Sequence, residues 1–473
     1  MAGFSAWQPP QFDAAMSVFH QGCPLERGGD METTPTRAVE DCLIEMLQSL
    51  GIAQAHIAAG QLVPGDWLGL VAGYPERVAS LILVSPRPRS ELNGLESRLP
   101  VVAGDKGLSA QGPAKLLADL PSAAAQILRD YECLPWADVI AERGADIAPA
   151  LLHFLDVHPL PPASLPAGEG EVGGITYRIR GSGPPLVLMP LDLAPSQWEP
   201  LIPELSERYC TITLGGPLVG AVSLLEGRGR SGYLSVVRTV LDLAHIKPGD
   251  VILEVGGGSG VVLRELARRT GGANRIIDID INPYLMREAA ALAQREGLAE
   301  RMTFQEGSAE AIPLAADSVD VALSITVMEE GDAHRMLAEL LRVTRPGGRI
   351  AAVVRSLDMP WWVNVSLSPA LRAKVDRPGF IGTAGADQAG CADAGLYRRF
   401  SAAGLSNLTF LPQLVAVTPG IEPARLAAFE SQILADLRAE ETAEWQAAAA
   451  VAKADGTFFI ATPFHCAVGT KPA

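Results

Sequence analysis

The sequence predicts an α/β protein, with a doubly wound, mainly parallel sheet in its second half and a further α/β unit in its first. Three observations point there. From Thr34 onward, short apolar runs of strand length alternate with amphipathic helical patterns. Between Val251 and Arg355 the alternation becomes a regular β-α-β-α, as parallel strands with crossover helices require. Glycines cluster where one such strand, VILEV, meets its helix, in Gly256-Gly257-Gly258-Ser259-Gly260.

Bulk composition narrows the function classes. With 473 residues there is room for two or three domains, and 48% hydrophobic residues suffice for packed cores. A net charge of −16 disfavours nucleic acid or an anionic membrane as the main partner. The stretch MAGFSAWQPPQFDAAM has neither the basic start nor the apolar run of a secretory signal, and no apolar run reaches membrane-span length. Cys23, Cys42, Cys133, Cys210, Cys391 and Cys466 form no C-x-x-C pair, so reduced thiols in a cytoplasmic protein are expected. The seven histidines are scattered, and no metal site is expected.

Along the chain, residues 1–33 are rich in Pro and Gly and read as irregular. AVEDCLIEMLQSLG reads as an amphipathic helix ended by Gly51, AHIAAG as a buried strand and DWLGLVAGYP as a helix. SLILVSP and LPVVAGD are further strands, and DIAPALLHFLDVH is a helix. HPLPPASLPAGEGEVGG, residues 158–174, reads as a Pro/Gly linker. After it, ITYRIRGSGPPLVLMP reads as two strands around a turn, SQWEPLIPELSERY as a helix and CTITLGG as a strand. SGYLSVVRTVLDLAHIKPGD is a helix ending before Pro248. The patterns divide the chain into residues 1–33, 34–220 and 221–473.

Within residues 34–220, GYPERVASLILVSP resembles the helix and strand that follow the nucleophile of an α/β-hydrolase. LPVVAGDKG resembles the strand leading to that family's acidic triad member, and residues 129–155 the segment with its histidine and last helix. Residues 172–214 resemble the family's first strands, so the end of the pattern precedes its beginning. The resemblance implies a circularly permuted α/β-hydrolase-like domain, with two decayed partial copies as the rival reading. It also implies vacant triad roles: Gln61 stands for the serine, Gly107 for the acid (Asp105 is two residues away) and Cys133 for the histidine. A glutamine amide cannot form the attacking alkoxide. Met189-Pro190 stands for the oxyanion loop, and Pro190 has no N–H to donate. This half is expected to be inactive.

In the second half the spacing is E-x-G-x-G-x-G, on Glu254, Gly256, Gly258 and Gly260. Val261 occupies the place of the third glycine of G-x-G-x-x-G, which counts against a dinucleotide oxidoreductase. Such glycines let backbone N–H groups and a helix N-terminus approach a ligand closely. RIIDIDINP, residues 275–283, is a second strand ending in Asp280, where a ribose-binding carboxylate belongs. Asn282 before Pro283 is the better helix cap. Asp278 shares a strand face with Asp280 but lies inside the strand, and is expected to face elsewhere. MTFQEGSAEAIPLAADSVDVALSITVMEE and MLAELLRVTRPGGRIAAVV supply a third strand, a fourth strand and a helix, with Pro346-Gly347-Gly348 as a turn. DGTFFIATPFHCAVGTKP reads as a closing hairpin, with His465 and Cys466 structural.

Together these pieces resemble, in order and spacing, the Rossmann-like class I S-adenosylmethionine-dependent methyltransferases. The resemblance implies S-adenosyl-L-methionine as cofactor, with Glu254 at its methionine end, Gly256, Gly258 and Gly260 along methionine and ribose, and Asp280 on the ribose hydroxyls. Ile281 would cover the adenine, beside Ser308 and Ala309; Ser308 stands where the family often has an acid. Ser324, with Ile325 and Thr326, would sit near the transferring methyl, and Tyr233 and Arg230 would close over the cofactor. Glu329, Glu330 and His334 are the candidate bases, and Trp361 and Trp362 the candidate acceptor-binding residues. The expected function is methyl transfer to a small-molecule acceptor, without nucleic acid or membrane. The alternatives are a hydrolase with an unrecognised nucleophile, or a non-catalytic protein that binds the cofactor or a partner. The first half could form a lid, a homodimer contact or a docking surface.

Overall fold

Two eight-stranded sheets organise the chain. The computed structural model describes residues 39–60, 70–71, 73–86, 98–107, 110–133, 138–191, 195–229, 232–376, 390–420, 425–426, 429–430, 433–434 and 437–472. Gln61 and Arg230 fall outside these residues.

The first sheet comprises β1 (Ala55–Ala59), β2 (Val78–Val84), β3 (Pro100–Gly104), β4 (Ala124–Leu128), β5 (Gly168–Val172), β6 (Ile175–Arg180), β7 (Pro185–Leu188) and β8 (Cys210–Gly215). Its order is β4-β3-β2-β1-β7-β8-β6-β5, parallel from β4 to β8, with β6 and β5 antiparallel at one edge. The central strands AHIAA, PVVAG and PLVL are buried along their whole length, as expected for parallel strands covered on both faces. Alternation sends Ile57 toward α1 (Val39–Ser49) and α2 (Gln111–Asp119), and Ala58 toward α3 (Val139–Asp156) and α4 (Ile202–Leu205).

The second sheet comprises β9 (Val251–Val255), β10 (Arg275–Asp280), β11 (Met302–Glu306), β12 (Val319–Ile325), β13 (Thr344–Arg355), β14 (Trp362–Val363), β15 (Ser406–Val417) and β16 (Ile460–Thr470). Its order is β11-β10-β9-β12-β13-β16-β14, with β15 on the other side of β16. The first five strands are parallel, and β16 runs antiparallel to β13, β14 and β15. On one face lie α6 (Tyr233–Leu243) and α7 (Val261–Arg269); on the other lie α9 (Ala333–Val343) and α11 (Gly395–Ala402). A smaller core around Trp361, Leu371, Trp445 and Phe458 joins α10 (Pro369–Val375) and α12 (Ala439–Ala454) to β14 and β16. Among the described residues no helix is long and apolar enough to cross a membrane.

Both sheets belong to one compact unit, residues 38–473. Two further helices, α5 (Gly220–Arg228) and α8 (Pro283–Arg295), lie where they meet. Val222 of α5 packs with Leu285 and Leu292 of α8, and the Tyr284 hydroxyl donates to the Asp138 carboxylate just before α3.

Several expectations need correction. The stretch read as a linker, residues 158–174, contains β5, which turns into β6 through Gly173 and Gly174 at φ +60° and +85°. GEGEV escaped notice because an exposed edge strand needs no apolar run, although a Gly-Gly pair is a hairpin signal. SQWEPLIPELSERY is not one helix: it breaks into a 3-10 turn at Pro195–Trp198 and the four-residue α4, around Pro200, whose ring removes a backbone donor. Pro346-Gly347-Gly348 keeps its expected turn but is set into β13 as a bulge: between the Val319–Thr344 and Val321–Arg349 pairs β13 takes five steps where β12 takes two, Gly347 has φ +77°, and its N–H donates to the Lys471 carbonyl. The closing stretch is one long strand, β16, whose antiparallel neighbour β15 comes from much earlier in the chain. Cys42, Cys133, Cys210, Cys391 and Cys466 are buried thiols; Cys23 lies outside the described residues.

Candidate functional site

A cavity of about 520 Å3 opens at the C-terminal ends of β9, β10, β11 and β12. The strand order reverses between β9 and β12, and that is where an open parallel sheet leaves a crevice. Residues 256–259, 279–285, 307–310 and 325–327 form most of its wall. Arg355 at the end of β13 and Leu225, Arg228 and Tyr233 from α5 and α6 complete one side.

The glycine turn is built around its close neighbours. Gly256 has φ +68°, and a Cβ there would lie 2.4 Å from Val327 Cγ2, so no larger residue fits without displacement. Its N–H donates to the Ile279 carbonyl at 2.7 Å. Gly258 N–H donates to Asp280 Oδ2 at 3.0 Å, and Asn282 N–H to Asp280 Oδ1 at 2.8 Å. Asp280 is thus held by backbone donors at the mouth of β10. Burial pushes its carboxyl up, while those N–H groups oppose the shift. Each oxygen keeps lone pairs for further donors.

Asp278 also serves the turn, contrary to expectation. Its Oδ1 accepts the Gly257 N–H at 3.1 Å, because two residues along a strand return to the same face. Parallel pairing sets Asp278 beside Glu254. Burial, then Asp280, pushes Asp278 up to about 8. Burial and both aspartates push Glu254 well above the carboxylate range. Glu254 is 2% exposed, lines the cavity, and its Oε2 has no partner. A buried acceptor of that kind fits a ligand that brings its own N–H donor, as the amino group of a methionine moiety does.

Of the residues singled out from the sequence, Glu254, Gly256, Gly258, Asp280, Ile281, Ser308, Ala309 and Tyr233 line this cavity. Gly260 stands just behind it, in a left-handed conformation that caps α7. Ser324 does not reach the cavity: alternation along β12 turns it into the protein interior, 0% exposed, while Ile325 and Thr326 form the wall. Ile281 is 67% exposed and presents an apolar side chain at the lip. Ser308 accepts the Glu310 N–H on its hydroxyl at 3.1 Å.

The candidate bases separate. Glu330 lines the cavity and pairs with Arg355 at 2.5 Å. Glu329 is fully buried rather than solvated and is absent from the wall, with Oε1 accepting the Arg355 N–H at 2.7 Å. Burial pushes it up, and Arg355 opposes the shift. His334 is exposed on the first turn of α9 and does not line the cavity. Trp361 is core, 4.7 Å from the Phe429 ring, and Trp362 is exposed on β14 against Phe459. Neither tryptophan lines the cavity: the chain after β13 carries Trp361 into the separate core of α10 and α12 and leaves Trp362 on the surface.

Among the wall residues that sequence reasoning missed are four polar ones, Arg228, Arg355, Asp138 and Glu142. Arg228 donates to Thr326 Oγ1 at 3.3 Å, with its guanidinium 5.5 Å from the Tyr233 ring centre, and Tyr233 Oη also meets Thr326 Oγ1 at 3.3 Å. Arg355 is the last residue of β13, and a cation at the C-terminal end of a parallel strand is the signal by which it was there to be found. Asp138 and Glu142 come from the start of α3, on the first sheet, and no local signal joins them to a site more than a hundred residues away.

Comparison with known proteins adds sequence kinship. Residues 252–348 match the family model described as a methyltransferase domain. The ubiquinone/menaquinone biosynthesis C-methyltransferase UbiE of Legionella pneumophila (strain Corby) is 28% identical over 114 residues, 24% of this chain and 46% of that protein. The uncharacterized protein Rv1405c of Mycobacterium tuberculosis is 38% identical over 111 residues, 23% of this chain and 39% of that protein. The chain thus spans less than half the length of these curated relatives. The solved YcgJ protein of Bacillus subtilis overlays 51% of this chain and 99% of its own at 16% identity, with a TM-score of 0.36.

Proposed function

We propose that this chain is an S-adenosylmethionine-dependent methyltransferase acting on a small-molecule acceptor. One observation carries the reading. The segment that matches the methyltransferase domain forms the glycine turn, with Glu254 and Asp280 both on the wall of one cavity. When bound, the cofactor supplies a sulfonium methyl already activated for transfer. The protein therefore has to bind, orient and exclude water rather than generate a reactive group. Asp280 would hold the ribose hydroxyls, the glycine turn would admit the methionine and ribose, and Glu254 would accept from the amino group. Arg228, Tyr233 and Thr326 would close the methionine end. Glu330, the candidate base on the wall, would take a proton from a hydroxyl or amine acceptor.

The test is calorimetric titration of S-adenosylhomocysteine into the intact chain and into Asp280→Ala. The expected result is micromolar binding that the substitution abolishes or weakens at least about tenfold, as loss of charge-assisted hydrogen bonds implies. Absence of binding to the well-folded intact chain would refute the reading.

For residues 34–220 we propose an inactive, circularly permuted α/β-hydrolase-like domain. The strand order supports it. β7, from the late part of this half, pairs with β1 at the sheet centre, and β5 begins at the edge opposite β4. Joining the two ends and cutting between α3 and β5 would give a chain that crosses the sheet from edge to edge. Turnover of simple aryl esters that disappears on Cys133→Ala would overturn the inactivity.

A further inference from the structure

The cavity is not built by the second sheet alone. Asp138, the N-cap of α3, and Glu142, one turn on, line it beside residues 281–285. Asp138 Oδ1 accepts the Ala141 N–H at 3.3 Å, and Oδ2 accepts the Tyr284 hydroxyl. Tyr284 opens α8 directly behind Ile281, with the Arg287 guanidinium 4.8 Å from its ring centre, so the contact is fixed from both sides. Glu142 is in turn held by the Tyr131 hydroxyl at 2.8 Å.

The second sheet's own acceptors at this end are partly engaged, and the lone pairs left on Asp280 would be taken by the ribose hydroxyls. Asp280 takes two backbone N–H groups. Ser308 takes the Glu310 N–H, and Glu310 Oε1 takes the Asp332 N–H at 2.8 Å. A nucleoside entering here brings several donors: two ribose hydroxyls and, for adenine, an exocyclic amino group. A carboxylate offers about four acceptor sites, and Asp138 has two in use. Burial pushes its carboxyl up, while the Ala141 N–H and Arg287 oppose the shift.

We propose that the first sheet supplies part of the nucleoside wall, with the Asp138 carboxylate accepting a hydrogen bond from a nucleoside donor of the cofactor. The proposal rests on the reading of this cavity as an S-adenosylmethionine site. It makes the first half a component of the cofactor site irrespective of any hydrolytic past. Asp138 becomes a residue that selects the nucleoside, and the Tyr284 hydroxyl positions it.

The experiment titrates three probes into the intact chain, Asp138→Asn, Tyr284→Phe and Asp280→Ala, with thermal melts to establish folding. The probes are S-adenosylhomocysteine, S-inosylhomocysteine (an oxygen replaces the 6-amino group) and the 2′-deoxy analogue of S-adenosylhomocysteine. The intact chain should prefer S-adenosylhomocysteine to at least one analogue. Asp138→Asn should weaken S-adenosylhomocysteine about tenfold and shrink that preference, as loss of one charge-assisted hydrogen bond implies. Loss of the preference over S-inosylhomocysteine would assign the contact to the base, and over the deoxy analogue to the ribose. Tyr284→Phe, which keeps the carboxylate but removes the hydroxyl that positions it, should shrink the preference less than Asp138→Asn does. Asp138→Asn changing all three affinities by one factor, or none of them, would overturn the proposal, since a merely structural role has no reason to distinguish probes. Failure of the intact chain to bind S-adenosylhomocysteine would remove the cofactor reading and this proposal together. Binding that depends on Asp280 but not on Asp138 removes the proposal alone.

Discussion

Gly256 concentrates the demands on the glycine turn in one residue. Its φ of +68° and the 2.4 Å approach of Val327 Cγ2 to a would-be Cβ act together, so Gly256→Ala should cost about 1–3 kcal/mol in stability and weaken S-adenosylhomocysteine at least about tenfold. An unchanged melting temperature and affinity would contradict this. Asp278 makes a pH prediction with a definite sign. Its carboxyl is raised from 3.8 to about 8, so the native protein holds a proton that the unfolded chain has released. Its contribution to stability is present at acid pH and lost as pH rises through that window. Asp278→Asn keeps an oxygen for the Gly257 N–H and has no proton to lose. The mutant's melting temperature should therefore fall less steeply across the window than the parent's; equal slopes would sink the assignment. The pair Asp278 and Asp280 was visible in RIIDIDINP, but only one was read as facing the site. Strand alternation puts both on one face, and the folded turn reaches back far enough to meet both.

At the scale of elements, α5 is tied to the glycine turn through charge. Glu226 accepts from Ser259 Oγ at 2.6 Å and from Arg264 Nη2 at 2.5 Å, and the Arg264 side chain is only 4% exposed. Glu226→Ala leaves a buried guanidinium short of a partner and should cost about 3 kcal/mol, read by urea unfolding. The turn should also loosen, and cofactor affinity fall with it. A neutral outcome in both measurements would show the ion pair to be idle. The strands from β9 to β13 were legible because buried parallel strands are apolar runs with sharp ends. The edge strands β4 and β5 were not, because exposure removes the apolar signal. The tryptophans of MPWW, expected to meet the acceptor, do not border the cavity.

For the whole molecule, the consequence is shared stability. Both sheets lie in one compact unit and both contribute to one cavity. S-adenosylhomocysteine at a hundred times its dissociation constant should stabilise the fold by about 2.7 kcal/mol and raise the melting temperature of the first sheet along with the second. Hydrogen exchange should show ligand-dependent protection at residues 138–146 as well as at residues 256–285. Protection confined to residues after 221 would mean that the first sheet takes no part in binding.

The motif pieces Glu254, Gly256, Gly258, Gly260 and Asp280 were readable from the chain by itself, because a ligand-binding βα turn imposes its residue types and spacing locally. So was the alternation of strands and helices from β9 to β13. Only the tertiary structure decided that Ser324 points inward, that Glu329 is sealed behind Arg355, and that Trp361 fills a separate core. Only it brought Asp138 and Glu142 to the mouth of a site formed by residues far along the chain. Periodicity encodes which way a side chain faces within its own element; which distant element it meets depends on how the two sheets pack, and no short stretch of sequence carries that.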